Sequence, residues 1–293
     1  MLYVCPTPIG NLGDVTLRVL DVLKQVDLVA CEDTRRTRIL LDRYEIGARL
    51  MSFHGHNEEE RVATLLPRLL GGEQVALVSD AGMPGLSDPG YSLVRACAAA
   101  DVPVTVLPGP SAVSTALVLS GLPADRFAFV GFLERSRAKL LQQLRRFEAT
   151  GAALVAFESP RRVKASLGVI ADEWPERRIA LCRELTKIHE EVLRGTAAEV
   201  AERLEGSVRG EIVLVLEAAV VPTKSLGGQD AAASSGAVSR ELERRAFEAL
   251  VRLVGLGVGT KQAAGIVSGL TGLSTREAYR LALRVREGGA LLE

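Results

Sequence analysis

The sequence predicts an α/β protein with two sheet-bearing α/β domains followed by a small all-helical C-terminal domain, and three observations carry that prediction. Short apolar runs at Leu2–Cys5, Leu28–Ala30, Val75–Val78 and Val104–Leu107 alternate with amphipathic segments at 14–26, 34–43, 57–70 and 88–100, which is the βαβ rhythm of a parallel sheet. Strands expected at Phe127–Phe132, Ala152–Phe157, Ile179–Arg183, His189–Leu193 and Glu211–Glu217 become closely spaced late in the series, and short connections favour antiparallel neighbours and a mixed sheet. Residues 220–238 then have linker composition, and helical periodicity follows them.

These signals divide the chain into a first domain at 1–120 with a parallel sheet, a second at 121–219 with a mixed sheet, a linker at 220–238 and a helical domain at 239–293. In the last of these Arg240–Val254 is amphipathic, Thr260 is placed to cap Lys261–Ser268, and Ser274-Thr275-Arg276-Glu277 is a capping-box pattern opening a helix to about Arg286. The pair of short helices flanking Gly269–Leu273 resembles a helix-turn-helix and equally suits a small helical bundle.

At 293 residues and 47% hydrophobic composition, the chain has material for two or three domains of about 100–200 residues each. It has no uninterrupted apolar run of about 18 residues and no secretion signal, so a soluble, cytoplasmic protein with no membrane partner is expected. Cys5, Cys31, Cys97 and Cys182 are far apart in apolar surroundings, as buried free thiols are, so neither a disulfide framework nor a zinc site is expected.

Lys and Arg total 36 and so do Asp and Glu, which leaves no global field drawing the chain onto a polyanion. Local charge is another matter. Arg35, Arg36, Arg38 and Arg43 form one basic cluster, Arg135, Arg137, Lys139, Arg145 and Arg146 a second, and basic residues outnumber acidic ones over 240–286. A solvated helix face accounts for any one of them; three together suit an anionic partner.

Four loops after expected strands carry the chemistry. The most informative is Ser79-Asp80-Ala81-Gly82-Met83-Pro84-Gly85-Leu86-Ser87-Asp88-Pro89-Gly90, whose glycines admit close backbone approach and whose two carboxylates suit a cationic or hydroxyl-bearing partner. It is joined by Pro6-Thr7-Pro8-Ile9-Gly10-Asn11-Leu12-Gly13, by Cys31-Glu32-Asp33-Thr34-Arg35-Arg36-Thr37 and by Leu107-Pro108-Gly109-Pro110-Ser111. Neither the Gly-x-Gly-x-x-Gly fingerprint nor a P-loop is present. In an open α/β sheet the carboxyl ends of strands are where ligands bind, so four such loops at one edge argue for a cleft.

In that order, Pro6–Leu12, Glu32–Arg35, Ser79–Gly82, Asp88–Gly90 and Pro108–Ser111 resemble the tetrapyrrole-methylase superfamily, and within it the branch that acts on ribosomal RNA. The resemblance spans about 1–220 and extends to the helical tail. It implies two α/β domains with S-adenosylmethionine in the cleft between them, a homodimer, and methylation of the 2′-hydroxyl of a cytidine in the decoding region of 16S ribosomal RNA, within the small ribosomal subunit. The cofactor positions it implies begin with Pro8 and Gly10 and the loop residues Ser79, Asp80, Ala81, Gly82, Met83 and Pro84. They continue with Pro108, Gly109, Pro110 and Ser111, and with backbone at Phe157, Glu158, Ser159, Ile212 and Val213. Members often carry threonine where this chain has Met83, so a side-chain hydrogen bond from that position is not implied.

A ribose hydroxyl attacks poorly until its proton leaves, which calls for a base or a cation that stabilises the alkoxide. Asp33, His54, His56 and Glu158 are the candidate bases, and Lys187 is the candidate cation; Asp33, His56 and Lys187 form the expected catalytic set. The competing accounts are an ion pair of Asp33 with Arg35 or Arg36, helix capping by Asn57 beside the histidines, and an ion pair of Lys187 with Glu184. Arg35, Arg36, Arg38 and Arg161 are the expected RNA contacts, and no metal is expected. His189 reads as a strand residue, and Tyr91 and Trp174 as packing residues.

Overall fold

In the computed structural model, residues 1–204, 206–219, 235–271 and 273–286 are described, with side chains in the third stretch from residue 244 onward. Met1–Val221 form one compact unit and Pro222–Glu293 a second. Most of the expected linker, 220–234, lies outside the described residues; from Ser235 the chain is already helical.

The first sheet collects β1 (Leu2–Val4), β2 (Leu28–Cys31), β3 (Leu50–Ser52), β4 (Val75–Val78) and β5 (Val104–Val106). Its order is β3-β2-β4-β1-β5 and every pairing is parallel. The connecting helices are α1 (Leu17–Gln25), α2 (Thr34–Arg43), α3 (Glu58–Leu70) and α4 (Tyr91–Ala99). Continuous apolar runs are explained by covering on both faces: Val75 and Leu77 pack with Leu65 and Leu69 of α3 and Leu93 of α4. Ala76 and Val78 pack with Val19 and Leu23 of α1 and Leu41 of α2 on the opposite face. The sequence reading missed β3, a three-residue, half-buried strand with too little period to detect.

Helix α5 (Ala112–Ser120) follows β5. The sequence reading assigns it to the first domain, yet Val113, Ala116 and Leu117 pack on Val155, Ala180 and Val213 of the second sheet. The chain therefore crosses over at Pro108–Ser111, about ten residues before the turn at Gly121.

The second sheet comprises β6 (Phe127–Phe132), β7 (Ala153–Glu158), β8 (Arg178–Arg183), β9 (Glu191–Thr196) and β10 (Ile212–Leu216). Its order is β6-β7-β10-β8-β9, parallel between β6 and β7 and antiparallel elsewhere. Helices α6 (Arg137–Glu148), α7 (Val163–Glu173) and α8 (Ala197–Arg203) cover the face opposite α5, packing Leu144, Leu167 and Val200 on Leu154, Leu181 and Leu214. His189 is not in a strand. Glu184 and Thr186 adopt left-handed backbone angles, the Glu190 carboxylate accepts from the Thr186 amide at 2.7 Å, and the turn runs to residue 190.

In the second unit α9 (Ser235–Gly255), α10 (Thr260–Thr271) and α11 (Thr275–Arg286) share a core including Leu250, Val267 and Leu281. Helix α10 extends through Gly269 and Leu270, so the turn to α11 is shorter than the sequence suggests. The expected capping box is present: the Glu277 amide donates to Ser274 Oγ at 3.3 Å, and the Ser274 amide donates to Glu277 Oε2 at 2.8 Å.

Candidate active site

The loops that follow β1, β4 and β5 are locked together before any ligand is considered. Thr7 and Gly82 exchange backbone hydrogen bonds at 2.9 Å each, the Thr7 hydroxyl donates to the Ser79 carbonyl at 3.0 Å, and the Ser79 hydroxyl donates to the Gly82 carbonyl at 3.1 Å. Gly82 has φ +78, which only glycine adopts without strain. A Cβ on Gly10 would lie 2.6 Å from Lys187 Cγ and 2.8 Å from the Leu185 carbonyl, and one on Gly109 would lie 2.5 Å from Pro6 Cγ. Gly10 and Gly109 are thus close-packed against the turn at Leu185 and against Pro6, and Ser79 is buried.

The loop from Gly85 to Gly90 closes on itself: the Gly85 amide donates to the Pro89 carbonyl at 3.1 Å. Glu58 of α3 then holds its far end, accepting from the Gly90 amide at 3.0 Å and the Ser92 hydroxyl at 2.5 Å. Asp88 is fixed on this closed loop.

Between these loops and the ends of β7 and β10 lies a cleft of about 300 Å³, within the range of roughly 300–1,000 Å³ common for small-ligand sites. Ile9, Met83, Leu86 and Val113 give it apolar walls from one side, and Phe132, Phe157, Ile212 and Val213 from the other. Ala81, Gly82 and Ser111 line it as expected, as does Glu158. Pro8, Gly10, Ser79, Asp80, Pro84, Pro108, Gly109, Pro110 and Ser159 do not line it. Ser111 is the N-cap of α5 but its side chain makes no capping bond, which leaves the first-turn amides beside Ala112 and Val113 open towards the cleft.

The carboxylates at the first sheet's edge differ sharply. Asp33 caps α2, accepting from the Arg35 amide at 2.8 Å, and its other oxygen pairs with Arg35 Nη2 at 2.8 Å. Hydrogen bonds from the Arg35 side chain and amide hold its pKa down at about 2. Asp80 accepts from the Asp33 amide at 3.0 Å and faces Arg36 Nε at 3.5 Å. Asp88 lines the cleft and makes no hydrogen bond or ion pair among the described residues. Burial, then the charges of Glu32 and Asp80, push its pKa up to about 6.

The remaining candidates are placed as follows. The Glu158 side chain is fully buried and its carboxylate is consumed by Arg162 at 2.5 Å, the Ser166 hydroxyl at 2.5 Å and the Ser159 amide at 2.6 Å, so no oxygen is free to take a proton. Lys187 pairs with Glu184 at 2.9 Å and with Glu211, which lines the cleft, at 3.1 Å. Burial works to lower its pKa, but the two carboxylates outweigh burial and raise it, so it stays a cation. His56 is exposed in the turn after β3 and lies outside the cleft lining, 6.1 Å ring to ring from His54, whose Nδ1 is buried without a partner. Asn57 stands at the N-cap of α3 as expected, but its side chain makes no capping bond and instead accepts from the His54 amide at 2.8 Å. Arg35, Arg36 and Arg38 are exposed on α2, and Arg161 is exposed after β7. Tyr91 is 67% exposed and so is no packing residue, whereas Trp174 packs on the second core.

The sequence reading reaches Glu211 through its strand but misses Phe132 and Leu86 as cleft walls, and it names Asp88 in the loop without placing it among the candidate bases. Asp88 had a signal, its place in the glycine-punctuated loop; that no ion pair reaches it among the described residues became visible only in three dimensions. Among the described residues, no group of three or more His, Cys, Asp or Glu could hold a metal, no helix is long and apolar enough to cross a membrane, and all four cysteines are free and buried.

Residues 1–201 match the model of the tetrapyrrole (corrin/porphyrin) methylases. Among curated relatives, ribosomal RNA small subunit methyltransferase I of Micromonospora olivasterospora is 45% identical over 95% of this chain and 85% of its own. The protein of that name in Synechocystis is 39% identical over 99% of both chains. That of Hydrogenobaculum is 46% identical over 219 residues, 73% of this chain and 94% of its own. Among solved structures, the methyltransferase CobJ superposes with a TM-score of 0.57 at 20% identity, over 77% of this chain and 96% of its own. Uroporphyrin-III C-methyltransferase of Thermus thermophilus complexed with S-adenosylhomocysteine superposes with a TM-score of 0.54 at 22% identity, over 75% of this chain and 98% of its own. At such identities these two establish the fold alone.

Proposed function

The chain belongs to the tetrapyrrole methylase family, and on that premise we propose that it transfers the methyl group of S-adenosylmethionine to small-subunit ribosomal RNA, at the 2′-hydroxyl of a cytidine in the 16S decoding region. The observation that carries the small-subunit ribosomal RNA part of this reading is the pair of relatives, 45% and 39% identical over most of both chains, named for methylation of small-subunit ribosomal RNA; the cytidine 2′-hydroxyl is what the resemblance of the loops implies.

The cleft fits the methyl donor on its own chemistry. The open amides at the α5 N-terminus suit a carboxylate, since backbone N–H groups and the helix dipole converge there. The apolar walls at Ile9, Met83, Val113 and Phe157 suit an adenine ring, and Asp88 and Glu211 suit the donor's cationic groups or a hydroxyl. When bound, S-adenosylmethionine supplies a methyl carbon on a sulfonium leaving group. The chain's part is to fix that carbon in line with the acceptor oxygen, which can supply several kcal/mol of rate acceleration.

Asp88 takes the proton of the acceptor hydroxyl. With its pKa raised to about 6 it is a stronger base than an ordinary carboxylate and is still mostly ionised at neutral pH. Asp33, at about 2 and bound to Arg35, is too weak a base and instead orders the first turn of α2, where Arg38, unpaired among the described residues, is offered to RNA phosphates and Arg35 and Arg36 remain tied to Asp33 and Asp80. Lys187 holds Glu211 at the cleft wall and keeps a positive charge beside it. The protein is read as a cytoplasmic homodimer; exposed apolar side chains such as Val118 and Ile188 support the dimer, which sedimentation tests.

The test of function is methyl transfer from labelled S-adenosylmethionine to 16S RNA or small subunits lacking the mark, with the labelled nucleotide mapped. Label on a cytidine ribose in the decoding region is expected. Label on a porphyrinoid alone, or on a base, overturns the assignment.

A further inference from the structure

Beside the cleft, on the same compact unit, runs an open groove of about 790 Å³ lined by Phe132, Glu134, Arg135, Lys139 and Arg161, with the α6 cap residue Ser136 at its edge. Cleft and groove meet at Phe132, which lines both. The wall residue is turned there by a bulge: the β6–β7 register shifts between Phe129 and Phe132, and Gly131 sits at φ +72. As a result Phe132 is 57% exposed while its ring still stacks edge-on against Phe157 at 5.5 Å.

The basic side chains of this face fall into two classes. Arg137 pairs with Asp172, Arg145 with Glu173 and Arg162 with Glu158. The side chains of Arg135, Lys139 and Arg161 make no hydrogen bond or ion pair among the described residues, and all three line the groove with Glu134 as the acid opposing them. Cations left free in a concave surface, next to an exposed aromatic ring, match a single-stranded polyanion with bases: charge neutralises phosphates and the ring stacks on a base.

We propose that this groove binds the single-stranded RNA segment flanking the methylated nucleotide, with Arg135, Lys139 and Arg161 on its phosphates and Phe132 under a base at the cleft mouth. The inference rests on the proposed RNA methylation. It adds a path for the strand in the second half of the unit, apart from the α2 arginines.

The test compares the full-length enzyme with the Arg135→Gln/Lys139→Gln/Arg161→Gln variant, and with Arg137→Gln/Arg145→Gln as a control for charge already neutralised. Methylation of unmodified 16S RNA is followed from about 50 to 200 mM salt. Three lost phosphate contacts should reduce the slope of log affinity against log salt by about 2, and raise KM for RNA about tenfold or more. The affinity for S-adenosylmethionine, measured by calorimetry, should be unchanged, and the control should behave as wild type. Phe132→Ala should lower kcat/KM for RNA about tenfold, with rescue by Phe132→Tyr. An active wild type whose triple variant keeps its salt slope and KM overturns the groove alone. A control that loses as much as the triple variant also overturns it, because the effect is then net charge. A wild type inert on RNA overturns the parent reading and the groove with it.

Discussion

Two segments at one edge of the first sheet, the turn from Glu32 to Arg38 and the loop from Ser79 to Gly90, carry carboxylates that read alike in sequence and behave as opposites in the fold. Asp33 is capped, paired and held at about 2, while Asp88 is unpaired, half-buried and pushed up to about 6. The first is spent on organising a basic helix; the second lines the cleft with its lone pairs unpartnered among the described residues. Density of acidic residues at a strand end therefore marks the site, and the partners decide which residue can do chemistry there.

The largest effect that would break this contrast lies at Asp88. Asp88→Asn should lower kcat by about 10²–10⁴, the usual worth of a general base, while calorimetric affinity for S-adenosylmethionine stays within a few-fold. In the wild type, kcat/KM for RNA should climb about tenfold per pH unit below about 6 and level off above it. The stability sign is fixed by the same shift. A carboxyl with raised folded-state pKa favours the fold when protonated, and that contribution is lost as pH rises through about 6. Hence the charged form costs stability at pH 8, and Asp88→Asn should raise the melting temperature there, by up to about 3 kcal/mol in free energy. A variant that keeps its rate, or loses rate and stability together, would put the base elsewhere.

Next in size is the floor beneath both segments. Gly10→Ala must displace backbone at the Leu185 carbonyl as well as Lys187 and Thr186, and overpacking of this kind costs about 1–3 kcal/mol. Thermal unfolding should show the loss. Methyl transfer should fall with it, since the displaced turn carries Lys187 and the cleft residue Leu185.

The parallel half of the fold was largely legible because its signals are local. Val75–Val78 is apolar on both faces and reads as a central strand whatever surrounds it. The edge strand β3 and the turn at His189 were not legible, since three half-buried residues and a left-handed turn leave no periodic trace. The packing of α5 on the second sheet was hidden for a different reason: its apolar surface suits either sheet, and only the crossover at Pro108–Ser111 decides between them. In the site, cleft-lining residues such as Ala81 and Gly82 follow from the loop's composition. Phe132 does not, because its exposure depends on a bulge.

Asp80 joins the two segments and gives a smaller, diagnostic effect. Its charge-assisted bond to the Asp33 amide is worth about 1.5–3 kcal/mol, whereas its contact with Arg36 at 3.5 Å is exposed and adds little. Asp80→Ala should therefore destabilise modestly and weaken cofactor binding less than tenfold, acting through the position of the loop. Because Asp80 also helps to raise Asp88, the rising limb of the pH profile should move to lower pH. A limb that stays in place would show that burial and Glu32 set the base without Asp80.

The smallest effect is the one that separates the two carboxylates most cleanly. Asp33→Ala removes the α2 cap and the pair with Arg35, so thermal stability at pH 7 should fall slightly. The sign opposes that of Asp88: a depressed carboxyl stabilises the fold above its unfolded value near 3.8, and the contribution disappears as pH falls towards about 2. Wild type and variant should accordingly converge in stability in acid and differ at neutral pH. The pH–rate limb near 6 should be unchanged in position, while KM for RNA rises modestly as the first turn of α2 and its arginines lose their order. Should the limb vanish in Asp33→Ala and persist in Asp88→Asn, the two residues would have to exchange roles, and the distinction between a spent and a free carboxylate would fail as a guide to the base.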